Sequence, residues 1–435
     1  MREMKDSGIE WIETIPQGWD VARLKALFSF GKGLPITKDN LVENGNAVIS
    51  YGQIHSKINT GTKVLPALIR FVNDSYLTNN PQSLVHKSDF IFADTSEDLD
   101  GCGNCAYIHE EMLLFAGYHT IILRAKEDTD NRYLAYLFKT DSWRSQIRSK
   151  VSGVKLFSIS RKIFADASVI LPPCHEQRSI SDFLDRKCAE IDAVIEKTKA
   201  TIEEYKKLKQ SVITEAVTKG IRGDRPMKES GIEWIGEIPA EWDVVRIKTL
   251  FDYRNERNDK PLEEVNLISL YTDLGVVQHC DLEATTGNKA SNADGYKLVY
   301  EDDIVVNIIL CWMGAIGRSA YTGVTSPAYD VYSPKEGTNT KFYHHLFRTQ
   351  GFGGDCYKVG RGIMAMRWRT YSDQFRAIKV VAPPQEEQQE IVDYLDKKCA
   401  EMDTLIARKT ALLAEMESYK KSVIYEYVTG KKEVV

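Results

Sequence analysis

The sequence contains no apolar run of about 18 residues, the length that a membrane-spanning helix requires. Its first residues, MREMKDSGIEWIE, carry charges where a secretion signal needs an apolar segment. Its eight cysteines are scattered, which is typical of reduced thiols and not of a disulfide framework. We therefore expect a cytoplasmic protein without a membrane partner.

Motifs for catalysis and cofactor binding are also missing. There is no phosphate loop, dinucleotide fingerprint, nucleophile elbow or H-E-x-x-H sequence. Cys102 and Cys105 form a lone C-x-x-C without the second pair of a zinc site, although His109 and His119 could be recruited to it. We therefore predict a binding protein with no catalytic residue, no metal site and no cofactor of its own.

The chain has little net charge for its size. A net charge of −5 over 435 residues argues against a protein that coats nucleic acid indiscriminately, but it leaves room for local basic surfaces. The length predicts two or more domains, and 43% hydrophobic and 27% charged residues describe an ordinary globular protein.

Two segments occur twice. The head peptide, Met4 to Phe28, returns as Met227 to Phe251 with 17 of 25 positions identical. The segment from Pro172 to Gly220 returns from Pro383 at an offset of 211 residues. The chain is therefore two units, each with a head peptide, a variable body and a long helix. The predicted divisions are 1–171 (head and first body), 172–220 (first long helix), 221–242 (linker and second head), 243–382 (second body) and 383–435 (second long helix).

Both repeated tail segments have the pattern of a coiled coil. Seam positions follow a spacing of four and three residues from Leu184 to Val212 and from Leu395 to Val423. Lys209 and Lys420 occupy the same seam position, where a charge disfavours slipped registers. About 45 residues would give a helix of roughly 65 Å. The alternative is a single long helix lying on a globular core.

The two bodies resemble each other only weakly and have a mixed α+β pattern. Short β-branched or aromatic runs bounded by turn residues predict strands at 47–51, 89–92, 119–123, 265–270 and 303–307. A helix is predicted near the end of each body, at 131–150 and 341–350.

Each body ends in a basic stretch interleaved with aromatic residues. Residues 139–162 and 341–379 each carry a net charge of +6, which suits contacts with DNA phosphates and guanine edges. The alternative is an ordinary solvated basic surface. The residues that we expect to bind DNA from these stretches are Lys150, Lys155, Arg161, Lys162, Arg361, Arg367 and Arg369.

Polar residues at the ends of predicted strands form a second set of candidates. Side chains of this type can read base edges, but they are equally common as turn formers. The candidates are Tyr51, Gln53, Thr95, Tyr271 and Asn307.

These repeats carry a family resemblance. The head peptide K-[D/E]-S-G-I-E-W-I, followed by I-P-x-x-W-D-V, resembles the start of type I restriction-modification specificity subunits. The P-P-x-x-E-Q-x-x-I sequence that opens each long helix, at Pro172 and Pro383, is also similar to that family. The resemblance covers the whole chain through its duplicated plan.

The resemblance implies an α+β fold. Two mixed α/β target recognition domains would be separated by two long antiparallel helices that form a coiled coil, with pseudo-twofold internal symmetry. It also implies a noncatalytic subunit for phage defence. Each recognition domain would read half of a bipartite, asymmetric site in double-stranded DNA, and the helix pair would set the spacer.

The same resemblance implies partner subunits. Two methyltransferase subunits would dock on the helices and head peptides and methylate adenine N6 with S-adenosylmethionine. Restriction subunits, which are ATP-dependent translocase-nucleases, would add cleavage that requires ATP and Mg²⁺. Two alternatives remain open at this point: a protein-binding scaffold and a self-contained DNA-modifying enzyme.

Overall fold

The computed structural model describes residues 2–126, 131–279, 292–362 and 368–434, which divide into two compact units. The first unit is Met1–Thr198 with Leu412–Val435, and the second is Lys199–Ala411. Each unit therefore includes one head peptide, one body and a segment of both long helices.

The first unit contains fifteen described strands and six short helices. The strands are β1 Met4–Ile9, β2 Ile12–Pro16, β3 Asp20–Arg23, β4 Phe28–Lys32, β5 Leu41–Val42, β6 Asn46–Ile49, β7 Arg70–Val72, β8 Leu84–Val85, β9 Phe90–Ala93, β10 Thr95–Ser96, β11 Cys105–Tyr107, β12 Leu114–Ala116, β13 Thr120–Ala125, β14 Phe157–Ser158 and β15 Ser168–Leu171. The helices are α1 Leu24–Leu27, α2 Tyr51–Ile54, α3 Ser75–Asn79, α4 Arg132–Phe138, α5 Asp141–Arg148 and α6 Arg161–Ala165.

Two sheets form the first body. One is antiparallel with the order β11-β9-β13-β4, and the other is mixed with the order β5-β7-β6-β12-β8. Strand β15 pairs with β3, so the end of the body returns to its beginning. Aromatic side chains dominate the main core, where Phe92, Phe138 and Trp143 pack with ring centroids 4.3–6.0 Å apart.

The first long helix, α7, spans Cys174–Lys219 and contributes to both units. The second unit then contains strands β16 Met227–Glu229, β17 Glu237–Pro239, β18 Asp243–Arg246, β19 Phe251–Arg254, β20 Ile268–Tyr271, β21 Gly275–Gln278, β22 Lys297–Val299, β23 Ile304–Asn307, β24 Ile316–Arg318, β25 Gly323–Thr325, β26 Tyr329–Pro334 and β27 Lys379–Ala382. Its helices are α8 Ile247–Leu250, α9 Thr340–Phe347, α10 Gln350–Val359, α11 Ser372–Ala377 and the second long helix, α12 Gln385–Val428.

The second body repeats the central sheet of the first. Its antiparallel order is β24-β23-β26-β19, and β27 pairs with β18 as β15 pairs with β3. Outside this sheet the bodies differ, because the second has two antiparallel two-stranded sheets, β20-β21 and β22-β25, where the first has its mixed sheet. The shared sheet is the frame on which different surfaces are built.

The long helices run antiparallel within each unit. In the first unit Phe183 stacks against Tyr427 at 4.3 Å, and the Lys420 ammonium donates to Asp192 at 2.5 Å. In the second unit Lys209 donates to Asp403 at 2.7 Å. Both seam lysines thus face a carboxylate of the opposing helix, at positions related by the repeat offset of 211. This geometry supports the predicted role of the lysines in fixing register.

Each head peptide is fastened to the start of a long helix. In the first unit the Trp19 indole N–H donates to Glu176 at 3.0 Å, and Arg2 pairs with the same carboxylate. In the second unit Trp242 donates to Glu387 at 2.9 Å, and Arg225 lies 2.6 Å from that carboxylate. We call each Trp-Glu-Arg group a latch. The latches explain the repeated tryptophan and the Glu-Gln sequence that opens each long helix.

The glutamine of that sequence also has the same contact in both units. Gln177 donates to the Pro172 carbonyl and Gln388 to the Pro383 carbonyl, each at 2.8 Å. These bonds tie the first turn of the helix to the segment that leads into it.

Most predicted elements occur, with two differences. The predicted helix at 131–150 is two helices, because Thr140 caps a new one by accepting from the Trp143 N–H. Thr349 caps α10 in the same way, and this helix follows the one predicted at 341–350. In the described residues no helix has both the length and the apolar character required to cross a membrane.

Candidate nucleic-acid interface

The basic stretch of the first unit divides into internal and exposed cations. Arg144 donates to the Phe138 carbonyl at 2.9 Å, and burial lowers its pKa. Arg148 is mostly buried and pairs with Asp141 at 3.0 Å. Four predicted DNA-binding residues of this stretch are exposed: Lys150, Lys155, Arg161 and Lys162. Part of the predicted +6 charge therefore supports the fold, and the remainder faces solvent.

A tight hairpin at residues 152–158 presents Lys155. Ser152 bridges Ser158, and strand β14 pairs with β10 so that Ser158 lies opposite Thr95. The Ile159 N–H donates to the Asp94 carbonyl at 2.7 Å. The structure thus brings the basic hairpin beside Thr95. The two belong to different sets of predicted DNA-binding residues, the basic stretches and the strand ends.

Thr95 belongs to a polar cluster at the ends of several strands. Its hydroxyl donates to Asp94 at 2.7 Å, and the His55 ring contacts its carbonyl at 2.8 Å. The rings of Tyr51 and His119 lie 5.4 Å apart, and His119 also contacts Asp94 at 3.3 Å. Donors and acceptors of this kind are those that read base edges.

Two predictions in this region change in detail. Tyr51 was predicted to end a strand, but both Tyr51 and Gln53 lie on helix α2. The Gln53 side-chain oxygen accepts from the Ser50 N–H at 3.1 Å, so this residue caps its own helix. His55 and His119 were missed as members of the cluster. The backbone of His119 has φ of +54°, an uncommon conformation that sequence does not reveal.

In the second unit, Arg361 and Arg369 lie side by side. Their backbones exchange two hydrogen bonds of 2.9 Å, and both side chains are exposed. Trp368 stacks on Tyr357 with centroids 4.9 Å apart. This gives an exposed basic and aromatic surface, a combination suited to nucleic acid. Arg367 lies outside the described residues.

Asn307 and Tyr271 border the same region. Asn307 is buried, and its side-chain oxygen accepts from the N–H groups of Ile309 and Leu310, as a turn former does. The carbonyl of the intervening Ile308 accepts from Thr370, the neighbour of Arg369. Tyr271 ends β20, and its phenol adds to burial in raising the pKa of Tyr329, which pairs with Asn307. The structure therefore places Asn307 next to the segment of Arg369, and Tyr271 near the strand that pairs with Asn307.

The described residues contain no group of three or more His, Cys, Asp or Glu side chains placed to hold a metal ion. Cys102 and Cys105 are buried, and burial raises the pKa of Cys105 to about 12. A thiol with this pKa is a poor nucleophile at neutral pH.

Comparison with known proteins agrees with this architecture. A family model for the type I restriction modification DNA specificity domain matches residues 16–204 and 239–414. The MjaVIII specificity subunit of Methanocaldococcus jannaschii is 31% identical over 126 residues, which are 29% of this chain and 28% of that subunit. The putative MjaX specificity subunit of the same organism is 24% identical across 97% of this chain and 95% of its own length.

A solved structure shows the same fold. It comes from work on complex assembly and conformational transition of the type I restriction-modification system, and it superposes with a TM-score of 0.70 at 14% identity. The match covers 96% of this chain and 99% of the other. The chain therefore belongs to the type I restriction-modification DNA specificity family, as a noncatalytic subunit that supplies DNA sequence specificity.

Proposed function

We propose that each body reads one half of a bipartite, asymmetric site in double-stranded DNA. The observation that carries this proposal is that the two units share one framework but present different surfaces. The central sheet and the latch recur in both units, whereas the residues at the strand ends differ. Exposed cations would hold phosphates and set register, while polar side chains at the strand ends would contact bases.

The long helices would set the spacer between the half-sites. Their reciprocal pairs, Lys420 with Asp192 and Lys209 with Asp403, support a single register. The helices and the latched head peptides would also form two equivalent docking surfaces. Equivalent surfaces suit two copies of one partner, and we propose that these partners are methyltransferase subunits.

The chemistry would belong to the partners. The methyltransferase subunits would bind S-adenosylmethionine and methylate adenine N6, and restriction subunits would use ATP and Mg²⁺ to translocate and cleave DNA. This chain would bind none of these cofactors. Its role is to decide which DNA the partners act on.

The test is to reconstitute the chain with its methyltransferase subunits and map N6-methyladenine in the treated DNA. We expect one bipartite motif with a fixed spacer. Replacing residues 20–171 with the body of another family member should change one half of the motif and preserve the other. Inserting seven residues in each long helix should change the spacer alone.

The two alternatives give different results in the same system. Methylation or cleavage by the purified chain without partners would identify a self-contained enzyme. A protein-binding scaffold would give no salt-dependent, sequence-selective DNA binding even with the partners present. A change in half-site identity after the helix insertion would contradict the proposed spacer role.

A further inference from the structure

The hairpin at residues 152–158 carries an unusual apolar tip. Val154 is 94% exposed and Leu156 is 55% exposed. Val154 is the most exposed large apolar side chain among the described residues. Single exposed apolar residues are common on protein surfaces. Two of them at the tip of one hairpin form a small projecting apolar surface.

The backbone of the hairpin holds these side chains outward. Gly153 has φ of +143°, and a β-carbon there would lie only 2.1 Å from the Leu156 carbonyl oxygen. At the other end Phe157 packs on the main core of the unit and pairs with Ser96. The tip is therefore a constrained turn on a buried anchor and not a loose loop.

The surroundings of the tip are basic. The chain contains no Asp or Glu between Asp141 and Asp166, and Lys150, Lys155 and Arg161 are exposed around the hairpin. An apolar tip with cations beside it complements a DNA groove, whose edges are phosphates and whose floor consists of base pairs. The pairing of β14 with β10 also places the hairpin next to the polar cluster of Thr95 and Asp94.

We infer that Val154 and Leu156 enter a groove of the DNA and make apolar contacts with base pairs in the half-site read by the first unit. This inference rests on the proposed DNA-reading function and adds a contact that the charged residues cannot supply. Lys155, between the two apolar residues, holds a phosphate at the edge of the groove.

The test compares variants of the full chain in its complex with the methyltransferase subunits. Phosphate and base contacts differ in salt dependence, because only a phosphate contact releases counterions. The double variant V154S/L156S should lower specific DNA affinity about tenfold and leave the slope of log K against log salt unchanged. Lys155→Gln should lower the affinity and reduce the slope by about 0.9.

A matched control distinguishes the loss of apolar side chains in the hairpin from the loss of an exposed apolar side chain elsewhere. Leu113 is 53% exposed, nearly as much as Leu156, but it lies outside the hairpin. Leu113→Ser should leave the affinity and the slope unchanged. Because all four substituted side chains are exposed, the variants should keep the wild-type circular dichroism and thermal unfolding.

The possible outcomes are distinct. If V154S/L156S binds DNA as the wild type does, the inference is wrong. It is also wrong if the variant loses methyltransferase subunits while it retains DNA affinity, because the tip would then contact protein. If the wild-type complex itself shows no sequence-selective binding, the proposed function is wrong, and the inference that rests on it is wrong as well.

Discussion

The two units share a frame whose sequence is only partly repeated. The head peptides are close copies, but the bodies are not, and yet both bodies build a four-stranded sheet with equivalent order. Buried apolar strands, such as β9 and β23, need only the correct pattern of side chains to form such a sheet. Surfaces outside the sheet are free to diverge. The sequence differences between the units are therefore concentrated on the surfaces outside the sheet, where different DNA sequences would be recognised.

The latches show a second difference between the units, which is burial. The Glu387 side chain is 0% exposed and its partner Arg225 is 10% exposed, whereas Glu176 and Arg2 are 17% and 25% exposed. In the first unit burial raises the pKa of Glu176, but the hydrogen bonds from Arg2 and Trp19 outweigh it and the net pKa is lowered. The same contacts should therefore contribute unequally to stability.

The largest effect should come from breaking the buried latch. Glu387→Ala removes the acceptor of the Trp242 N–H and one of the two carboxylates beside Arg225, which keeps Glu241 at 2.9 Å. Because both lost contacts are shielded from solvent, we expect a loss of about 3–4 kcal/mol of stability in the second unit. Glu176→Ala should cost about 1–3 kcal/mol in the first unit. Denaturant unfolding gives the totals, and hydrogen exchange of the two head peptides locates them. Equal losses at both latches would show that burial does not distinguish the units.

A smaller effect should follow at the cation after α9. Arg348 donates to four carbonyls, of Thr272, Asp273, Gly314 and Ile316, at 2.9–3.2 Å. Arg348→Met would remove all four bonds, but the Gly314 carbonyl still accepts from the Ile316 N–H and the Thr272 and Asp273 carbonyls lie on exposed residues. We therefore expect a cost of about 1 kcal/mol. Amide exchange should rise around residues 272–274 and 314–316. Arg361→Met, at an exposed position in the same unit, is the control and should change neither the stability nor the amide exchange. Unchanged exchange around residues 272–274 would contradict this role.

The frame follows largely from the sequence, whereas the arrangement of the surface does not, for a physical reason. The long helices, the head peptides and several strands follow from periodicity and repetition. The cluster of Thr95, His119 and Tyr51 depends instead on strand pairing between distant segments, which no local pattern encodes. Arg144, Arg148 and Arg348 read as free surface charge, because sequence does not show which carbonyls and carboxylates surround a cation.

The seam lysines should have a still smaller effect. Lys420 is 17% exposed and its partner Asp192 is 49% exposed, while Lys209 and Asp403 are 24% and 59% exposed. Partly solvated pairs of this kind contribute about 1 kcal/mol or less. We expect Lys420→Ala to cost slightly more than Lys209→Ala in denaturant unfolding. The charge reversal K209D/D403K should recover most of the loss from Lys209→Asp. Failure to recover would show that the pair does not interact.

The last effect depends on pH and concerns Lys139, which follows α4 in the first unit as Arg348 follows α9 in the second. It lines a cavity of about 370 Å³, and desolvation together with the nearby Lys420 lowers its pKa to about 8. An unfolded lysine titrates near 10.4. Between these values the unfolded chain binds more protons, so the contribution of Lys139 to stability rises with pH from about 8 to 10. Below this range the cost of the desolvated charge is fully present.

Lys139→Met should therefore stabilise the first unit at pH 7, and its advantage over the wild type should shrink towards pH 10. The difference in free energy of unfolding between the two chains reports Lys139 together with its electrostatic neighbours Lys420 and Cys188, while distant groups cancel. Lys150→Met, at an exposed position, should give a difference that does not change with pH. If the Lys139→Met difference is also constant, the lysine is fully solvated, and its environment differs from that of Arg348, which donates to four carbonyls.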